Sequence, residues 1–247
     1  MIRAVLSGVL CLFAAQSVGQ DLQCAQDTFE GLAMTVCEVD ASQADLRMFL
    51  RDETGVILGQ FSSVDRQLSA EGRRLAFAMN AGMYHDDRAP VGLYVENGQQ
   101  EMRLVPGPGP GNFGLVPNGV FCIREGRADV FETSAFQTEQ PQCSFATQSG
   151  PMLVIDGALH PRFLKDGTSR YIRNGVGTSA DGKRAVFVIS DAPVNFHTFG
   201  RYFRDVVQVP QALYFDGKVS RLFAPEIGRS DFGFSLGPIV GVAVPAQ

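Results

Sequence analysis

The sequence contains no cluster of lysine and arginine residues, and its overall charge is acidic. The formal net charge is −5 at pH 7, and the isoelectric point is about 5.2. Nucleic-acid phosphates attract basic protein surfaces, so this composition argues against DNA or RNA as a partner. The chain also has no internal repeat and no low-complexity array. We therefore expect a small-molecule ligand and no cofactor.

Long hydrophobic runs are also missing, and no segment is long enough to cross a bilayer. The apolar stretch at residues 4–15 follows Arg3 and precedes small residues at 17–19. That order is typical of an export signal. We predict a signal peptide at residues 1–20, a mature chain at residues 21–247, and a periplasmic or secreted location without stable membrane insertion.

The cysteines lack the spacing of a metal site. The chain has five cysteines and three histidines, with no Cys-x-x-Cys pair and no nearby pair of histidines, which argues against zinc. Removal of the signal takes away Cys11, and the remaining even set predicts two disulfides in an oxidising compartment. Three connectivities are possible. We expect Cys24–Cys37 and Cys122–Cys143, because each pair closes a short excursion between predicted strands.

The length and hydrophobic content fit one domain with one core. The chain has 247 residues, of which 45% are hydrophobic, and this is enough for a sizeable core without a second domain. Strands are predicted at residues 31–39 and 45–51. A surface helix, capped by Ser62 or Ser63, is predicted at residues 63–75.

The middle of the chain predicts a loop followed by hairpins. Residues 105–118 contain too many prolines and glycines for regular structure, and we interpret them as a loop beside an active site. A hairpin follows at residues 119–133 with its turn at Glu125-Gly126. Another strand is predicted at residues 150–159, where Asp156-Gly157 marks a turn.

The last third of the chain has a β-α-β rhythm. A buried strand at residues 184–190 precedes a helix capped by Asn195, and a second buried strand ends at Asp216-Gly217. Such crossovers favour parallel strands, whereas the upstream hairpins are antiparallel. We therefore predict an α/β fold on the α+β borderline, a single domain with a mixed β-sheet core flanked by helices. A closing strand is predicted at residues 237–245.

Polar residues at predicted strand ends are candidates for a binding site. In FAMNAGMYHDDRAPVG, residues 77–92, Asn80 and Tyr84 follow a buried strand. Asp191 and Asp216 end the two strands of the β-α-β unit, and the crossover brings both to one edge of the sheet. Aspartates also cap turns, which is the alternative for both. The adjacent Asp86 and Asp87 are usually solvated on a loop, and no metal is assigned.

Two arginines approach this edge from residues 169–183. Arg173 directly precedes a Gly-rich segment at residues 174–178, which we interpret as a flexible turn rich in donors for an anionic oxygen. Surface charge on a hairpin is the alternative. We favour it for Arg170 and favour an anion-binding role for Arg173.

Four motifs in order carry a family resemblance. They are MNAGMY (79–84), QSGPMLVIDGAL (148–159), RNGVGTSADGKRAVFVISD (173–191) and ALYFDGKVS (212–220). With this order and spacing, residues 77–244 resemble the phosphodiester glycosidase family, in particular its bacterial DUF2233-type members. The resemblance places polar family motifs at Asn80, Ser149, Gly150, Arg173, Asp191, Asp216, Gly217 and Ser220. Many members have Asp-Gly-Gly-Gly-Ser where this chain has Asp-Gly-Lys-Val-Ser.

The resemblance implies an exported hydrolase that cleaves sugar-1-phosphodiesters or related envelope glycans, acting as a monomer on phosphate-linked carbohydrate. Asp216 and Asp191 are then the catalytic carboxylates, and Arg173 holds the phosphate with backbone groups near Gly217. Lys218 either adds a cation or points to solvent. The substrate-binding candidates also include Asn80, Tyr84, Ser149, Gly150, Ser220 and His197. A carbohydrate-binding protein without turnover is the alternative, and a structural envelope protein is a third.

Overall fold

The computed structural model describes residues 21–109 and 111–246. The predicted signal peptide at residues 1–20 lies outside these ranges. Within them the strands are β1 (Leu22–Phe29), β2 (Leu32–Asp40), β3 (Asp45–Phe49), β4 (Arg73–Asn80), β5 (Tyr94–Glu96), β6 (Gln99–Met102), β7 (Gly119–Arg124), β8 (Arg127–Glu132), β9 (Phe145–Ser149), β10 (Met152–Ile155), β11 (Ala158–Leu159), β12 (Asn174–Thr178), β13 (Arg184–Ser190), β14 (Gln211–Asp216), β15 (Leu222–Ala224), β16 (Arg229–Ser230) and β17 (Ile239–Pro245). The helices are α1 (Phe61–Ala70), α2 (Thr133–Glu139) and α3 (Phe196–Arg201), and a π-helical turn at Tyr202–Val207 continues α3.

These strands form three sheets. The first has the order β1-β2-β13-β12-β14-β10-β11, the second β16-β15-β4-β17-β3, and the third β6-β5-β9-β7-β8. Within the described ranges all strand pairings between these elements are antiparallel. The predicted mixed sheet is therefore wrong in its strand directions.

The error comes from the Gly-rich segment, which is the strand β12 and not the predicted turn. Strands β13 and β14 run in the same direction, as the β-α-β rhythm required, but β12 lies between them and pairs with both. A β-carbon at Gly175 would lie 2.5 Å from the carbonyl oxygen of Leu213, and one at Gly177 would lie 2.6 Å from the side chain of Val209. These glycines thus allow close packing of a central strand.

Four phenylalanines connect the three sheets. Phe187 and Phe215 belong to the first sheet, Phe77 to the second and Phe121 to the third, and all four are buried. Ring centroids are 4.9 Å apart for Phe77–Phe187, 5.8 Å for Phe121–Phe187 and 6.1 Å for Phe121–Phe215. Truncating one buried Phe typically costs about 3–5 kcal/mol. One shared core therefore fixes the sheets relative to each other.

Helices cover the faces that point away from this core. On β14, Leu213 and Phe215 point to the shared core, and this side of the first sheet is called its inner face. Tyr214 lies on the outer face with Phe199 and Phe203 from the helical segment. Helix α1 covers the second sheet in the same way. Among the described residues, no helix is both long and apolar enough to cross a membrane.

Several local predictions are confirmed and one cap is wrong. The predicted strands at 31–39 and 45–51 correspond to β2 and β3, and the hairpin of β7 and β8 turns at Glu125-Gly126. Asn195 caps α3 by accepting a hydrogen bond from the Thr198 amide at 2.9 Å. Helix α1 starts earlier than predicted, and Gln60 is its N-cap residue without a side-chain cap. The loop at 105–118 contains a short 3₁₀ turn at Gly111–Gly114.

Both predicted disulfides are present. Cys24 and Cys37 lie opposite each other on β1 and β2 and are bonded. Cys122 on β7 is bonded to Cys143, which precedes β9. Each bond reduces the number of conformations that the unfolded chain can adopt and thereby stabilises the fold.

Replacing Cys122 and Cys143 together by alanine is expected to lower the free energy of unfolding by about 3 kcal/mol, because the bond closes a loop of moderate length. The two cysteines are 21 residues apart in sequence. Urea unfolding of the oxidised proteins measures the difference. A double variant at Cys24 and Cys37 is expected to lose a similar amount. An unchanged unfolding midpoint in both variants would contradict the prediction.

Candidate active site

A cleft of about 600 Å³ opens at the carboxyl end of β14. Its lining comes from three segments, at residues 83–91, 111–112 and 214–219, together with Ser169 and Tyr171. Two of the segments are the loops that sequence reasoning singled out, the one after β4 and the Pro/Gly-rich one before β7. The cleft therefore collects loops that are far apart in sequence at one edge of the first sheet.

In the described part of the chain, two carboxylates line this cleft, Asp86 on the loop after β4 and the partly buried Asp216 at the end of β14. The Oδ1 of Asp216 accepts hydrogen bonds from the backbone N–H groups of Gly217 at 2.5 Å and Lys218 at 3.0 Å, and its Oδ2 has no donor among the described residues. Burial raises the pKa of Asp216 above its ordinary value, although the two amides oppose the shift. A carboxyl group with a raised pKa at a cleft is typical of functional sites.

Arg173 is a fully buried cation without a counter-ion. Its Nε donates to the carbonyl of Val194 at 2.9 Å and its Nη2 to the carbonyl of Ser169 at 2.9 Å. Its Nη1 is buried and has no hydrogen-bond partner in the described part of the chain, where the ion pairs involve other residues. Burial lowers the pKa of the guanidinium, which neighbouring tyrosines oppose. The guanidinium charge is thus buried without a carboxylate to neutralise it in the described part of the chain.

Aromatic rings enclose this guanidinium. Its carbon lies 3.6 Å from the ring centroid of Phe196, 5.3 Å from that of Tyr214 and 5.5 Å from that of Tyr171. Cation–π contacts stabilise a desolvated arginine and fix its position. Tyr214 and Tyr171 line the cleft, so the cation lies directly behind the cleft wall.

Two buried asparagines fix the loop that carries Asp216. Asn80 and Asn174 pair through their amides, with Asn174 Nδ2 donating to Asn80 Oδ1 at 3.1 Å and Asn80 Nδ2 donating to Asn174 Oδ1 at 3.3 Å. Asn174 Oδ1 also accepts from the Asp216 amide at 3.1 Å and from Ser220 Oγ at 3.2 Å. Asn80 Oδ1 accepts from the Arg221 amide at 2.8 Å. The pair therefore joins the first and second sheets beneath residues 216–221.

Asp191 lies at the same sheet edge as Asp216 but on the other face. Alternation along β13 places Asp191 on the inner-face side of Ile189, whereas alternation along β14 places Asp216 on the outer-face side of Tyr214. The Oδ2 of Asp191 accepts a hydrogen bond from Thr35 Oγ1 at 2.8 Å, and its Oδ1 accepts one from Arg229 Nη1 at 2.5 Å. Within the described residues it does not line the cleft. The structure thus does not bring the two predicted carboxylates together.

Other cleft residues add charge and a phenol. Tyr84 lines the cleft and donates to the carbonyl of Ser235 at 3.3 Å. Burial, and next the charge of Asp216, raises the pKa of Tyr84. Arg88 lies over the Tyr84 ring at 5.3 Å from its centroid. Lys218 is exposed and lines the cleft. Lys218 is the cation that opposes the raised pKa of Asp216.

The remaining predicted site residues lie outside the lining of this cleft. Ser149 is buried and donates to the carbonyl of Phe215 at 3.0 Å, and Gly150 follows it. His197 is in the first turn of α3. Arg170 is exposed, as expected. Among the described residues, no group of three or more His, Cys, Asp and Glu side chains is arranged to hold a metal ion.

Sequence reasoning found Tyr84 but missed two other tyrosines that line the cleft, Tyr171 and Tyr214. Tyr214 looks like an ordinary residue of a buried strand, and Tyr171 like a surface residue between two arginines. A usable signal exists for Tyr214, because it precedes Asp216 by two residues and successive side chains of a strand alternate between faces. Once Asp216 is assigned to a site, Tyr214 is expected beside that site, because the two residues lie on the same face of β14.

Comparisons with known proteins show what this chain is similar to. A family model described as phosphodiester glycosidase matches residues 73–229, a range that contains the three cleft-lining segments. The uncharacterized protein YigE of Escherichia coli K12 is 35% identical over 192 residues, which make up 78% of this chain and 74% of that protein.

Solved structures share the fold. The zebrafish N-acetylglucosamine-1-phosphodiester alpha-N-acetylglucosaminidase catalytic domain, auto-inhibited by pro-peptide, gives a TM-score of 0.61 at 13% identity, covering 92% of this chain and 85% of that chain. A hypothetical protein from Synechocystis gives a TM-score of 0.59 at 12% identity, covering 90% of this chain and 62% of that chain. At these identities the likeness concerns the fold.

Replacing Asn174 by alanine is expected to lower the free energy of unfolding by about 3 kcal/mol, because the Asp216 amide and the Asn80 side chain lose buried partners. Chemical unfolding measures the loss. The exposed Gln137→Ala on α2 is the control, with an expected change within about 0.5 kcal/mol. Equal stability of the Asn174 variant and the wild type would show that the amide pair does not hold the loop.

Replacing Asp216 by asparagine is expected to stabilise the protein at neutral pH. Because the folded state raises the pKa of Asp216, it binds the proton more tightly than the unfolded chain, and ionisation above that raised pKa destabilises the fold. Asparagine avoids this ionisation. The advantage of the variant is expected to shrink as pH falls through the raised pKa and to vanish below the ordinary value of about 3.9.

Unfolding experiments at neutral and acidic pH measure this dependence, with the exposed Asp156→Asn as the matched control. Asp156 also ends a strand before a glycine, but it lies away from the cleft. A lower stability of Asp216→Asn than of wild type at neutral pH would contradict the prediction.

Proposed function

Because the chain belongs to the phosphodiester glycosidase family, we propose that it hydrolyses the sugar–phosphate bond of sugar-1-phosphodiesters. The proposed substrates are N-acetylglucosamine-1-phosphodiesters or related envelope glycans. One observation carries the proposal. A carboxylate with a raised pKa, Asp216, lines the cleft. Arg173, a buried cation without a counter-ion among the described residues, lies behind the cleft wall on the same face and edge of the sheet.

Arg173 is proposed to hold the phosphate. A buried guanidinium with a free Nη1 and no carboxylate partner attracts a phosphate more strongly than a solvated one, because the surrounding dielectric is low. Lys218 is proposed to add a second, mobile cation from the cleft rim, and the amides near Gly217 offer further donors. A leaving phosphate is weakly basic, so its departure needs charge neutralisation more than proton donation.

Asp216 is proposed to act at the anomeric carbon. Water forms a bond to that carbon while the bond from carbon to the bridging oxygen breaks, and its electron pair leaves with the phosphate. The carboxylate stabilises the positive charge that develops on the sugar and orients the water, whose proton passes to Asp216 or to solvent. Asp191, committed to Arg229 on the other face, is proposed to support the sheet edge and not to contact the sugar.

The sugar is proposed to lie against Tyr84 and the loop after β4. Tyr84 offers a ring face and a phenol within the cleft, which suits a sugar with apolar faces and hydroxyl groups. Asn80, Ser149 and Ser220 have their polar groups engaged within the protein. We propose that they shape the site from beneath. Gly150 and His197 receive no substrate contact in this proposal.

The protein is proposed to act after export. Its two disulfides are typical of oxidising compartments such as the periplasm, and residues 1–20 have the order of an export signal.

A carbohydrate-binding protein without turnover is the second candidate, favoured by the Lys218-Val219 pair that replaces two family glycines in the loop after Asp216. Larger side chains there restrict how closely a ligand approaches the backbone. Binding of a sugar-1-phosphodiester without release of product would support this second candidate.

Hydrolysis of N-acetylglucosamine 1-(methyl phosphate), followed by phosphorus NMR, tests the leading proposal. Wild type is expected to release methyl phosphate, and in ¹⁸O-labelled water the label is expected in the sugar because the carbon–oxygen bond breaks. Asp216→Asn is expected to reduce turnover by about a hundredfold or more. Asp156→Asn is expected to retain the wild-type rate.

Label in the phosphate would instead indicate attack at phosphorus and would overturn the glycosidase assignment. Equal rates for Asp216→Asn and wild type would remove Asp216 from the chemistry. The methyl glycoside of the same sugar serves as the neutral comparison, and we expect it to remain intact.

A further inference from the structure

The Tyr214 hydroxyl is a buried polar group without a partner. Tyr214 is 0% exposed, and its Oη has no hydrogen-bond partner among the described residues. Buried polar groups in native proteins are nearly always hydrogen-bonded, because an unmade bond is costly. An exception of this kind at the floor of a cleft calls for an explanation beyond packing.

Tyr214 lines the cleft, and Arg173 lies directly behind it. We call these two side chains the oxyanion corner. A β-carbon on Gly217 would lie 2.3 Å from Tyr214 Oη, so the hydroxyl lies directly beneath the backbone that follows Asp216. Arg173 contributes the second orphaned group, Nη1, and its guanidinium carbon lies 5.3 Å from the Tyr214 ring centroid. Arg173 and Asn112 lie close enough to the hydroxyl to lower the pKa of Tyr214, but neither has the geometry of a hydrogen bond with it. Among the described residues, two buried donors, one of them cationic, thus lie side by side without a well-placed acceptor.

The ring and the hydroxyl of Tyr214 make opposite contributions to stability. The ring packs edge-on against Phe196 with centroids 4.8 Å apart, which a phenylalanine would reproduce. The hydroxyl adds a desolvated donor that the fold does not use. A purely structural role therefore predicts phenylalanine at this position.

The donor set matches an oxyanion. Burial raises the pKa of Tyr214, which the Arg173 cation only partly opposes, so the phenol stays protonated and remains a donor at neutral pH. A phosphodiester carries one negative charge on two non-bridging oxygens. One cationic and one neutral donor therefore match its charge and offer a partner to each oxygen. A neutral glycoside offers acceptor oxygens but lacks the negative charge that would pair with Arg173.

We propose that the Tyr214 hydroxyl donates a hydrogen bond to a non-bridging phosphoryl oxygen of the bound phosphodiester, beside Arg173, and thereby selects phosphate-linked sugars over neutral glycosides. This inference rests on the proposed function, because it assigns a further substrate-binding residue to the same site.

Binding of dimethyl phosphate, measured by calorimetry, tests the inference without requiring turnover. Tyr214→Phe is expected to weaken binding by about tenfold or more, as for loss of a hydrogen bond to a charged group. The same variant is expected to unfold at a higher denaturant concentration than wild type, because it removes an unsatisfied buried group. Weaker binding together with greater stability would not follow from a structural role of the hydroxyl.

Tyr202→Phe is the matched control. Tyr202 is also buried, but its hydroxyl donates to Asp27 at 2.6 Å, away from the cleft. Its loss is expected to reduce stability and to leave dimethyl phosphate binding unchanged.

The outcomes separate this inference from the proposed function. Equal affinity of Tyr214→Phe and wild type for dimethyl phosphate would overturn the role of Tyr214, even if the sugar-1-phosphodiester is hydrolysed. Failure of wild type to bind dimethyl phosphate at millimolar concentration would overturn it as well. Weakened binding in Tyr214→Phe, combined with no hydrolysis by wild type, would support the oxyanion corner and reject the hydrolase.

Discussion

The amide pair between Asn80 and Asn174 is the interaction on which the rest of the site depends. The pair links the second sheet to the first within the core. The side-chain oxygens of the same two asparagines accept hydrogen bonds from the backbone amides of Asp216 and Arg221. A buried hydrogen-bond network of this kind is stable only when every member has a partner. The position of the cleft loop is therefore tied to the packing of the two sheets, and a shift in either would leave buried polar groups unsatisfied.

The opposite face of the same edge is built from groups that the fold leaves unsatisfied. Among the described residues, Arg173 has no counter-ion and the Tyr214 hydroxyl has no acceptor, and burial raises the pKa of Asp216. Each of these features destabilises the free protein, and together they complement an anion and a developing positive charge. The fully bonded amide pair beneath them holds the arrangement in place. The hydrogen bonds that stabilise this edge thus lie on one face of the sheet, and the groups that form the site lie on the other.

Much of this was predictable from local sequence, and the failures have physical causes. The Asn195 cap and the disulfides follow from short-range chemistry, and the position of Asp216 follows from the end of an apolar strand. Strand β12 was misread because glycines that permit close packing look the same as glycines that permit a turn. The prediction groups Asp191 with Asp216 only because both lie at the same edge of the sheet. Side chains alternate between the two faces of a strand, and following this alternation along β13 and β14 places Asp191 and Asp216 on opposite faces. The same alternation places Tyr214 on the face of Asp216.

The loop after Asp216 departs from the family pattern in a way that the packing explains. Val219 packs against the cluster between α1 and the second sheet, so it anchors the loop through its side chain where a glycine would leave the backbone free. Lys218 next to it is exposed and faces the cleft. Gly217 must remain small, because Tyr214 Oη lies where its β-carbon would be. Of the family's glycines, the chain thus retains the one beside Tyr214 and has a packed side chain, Val219, at one of the two replaced positions.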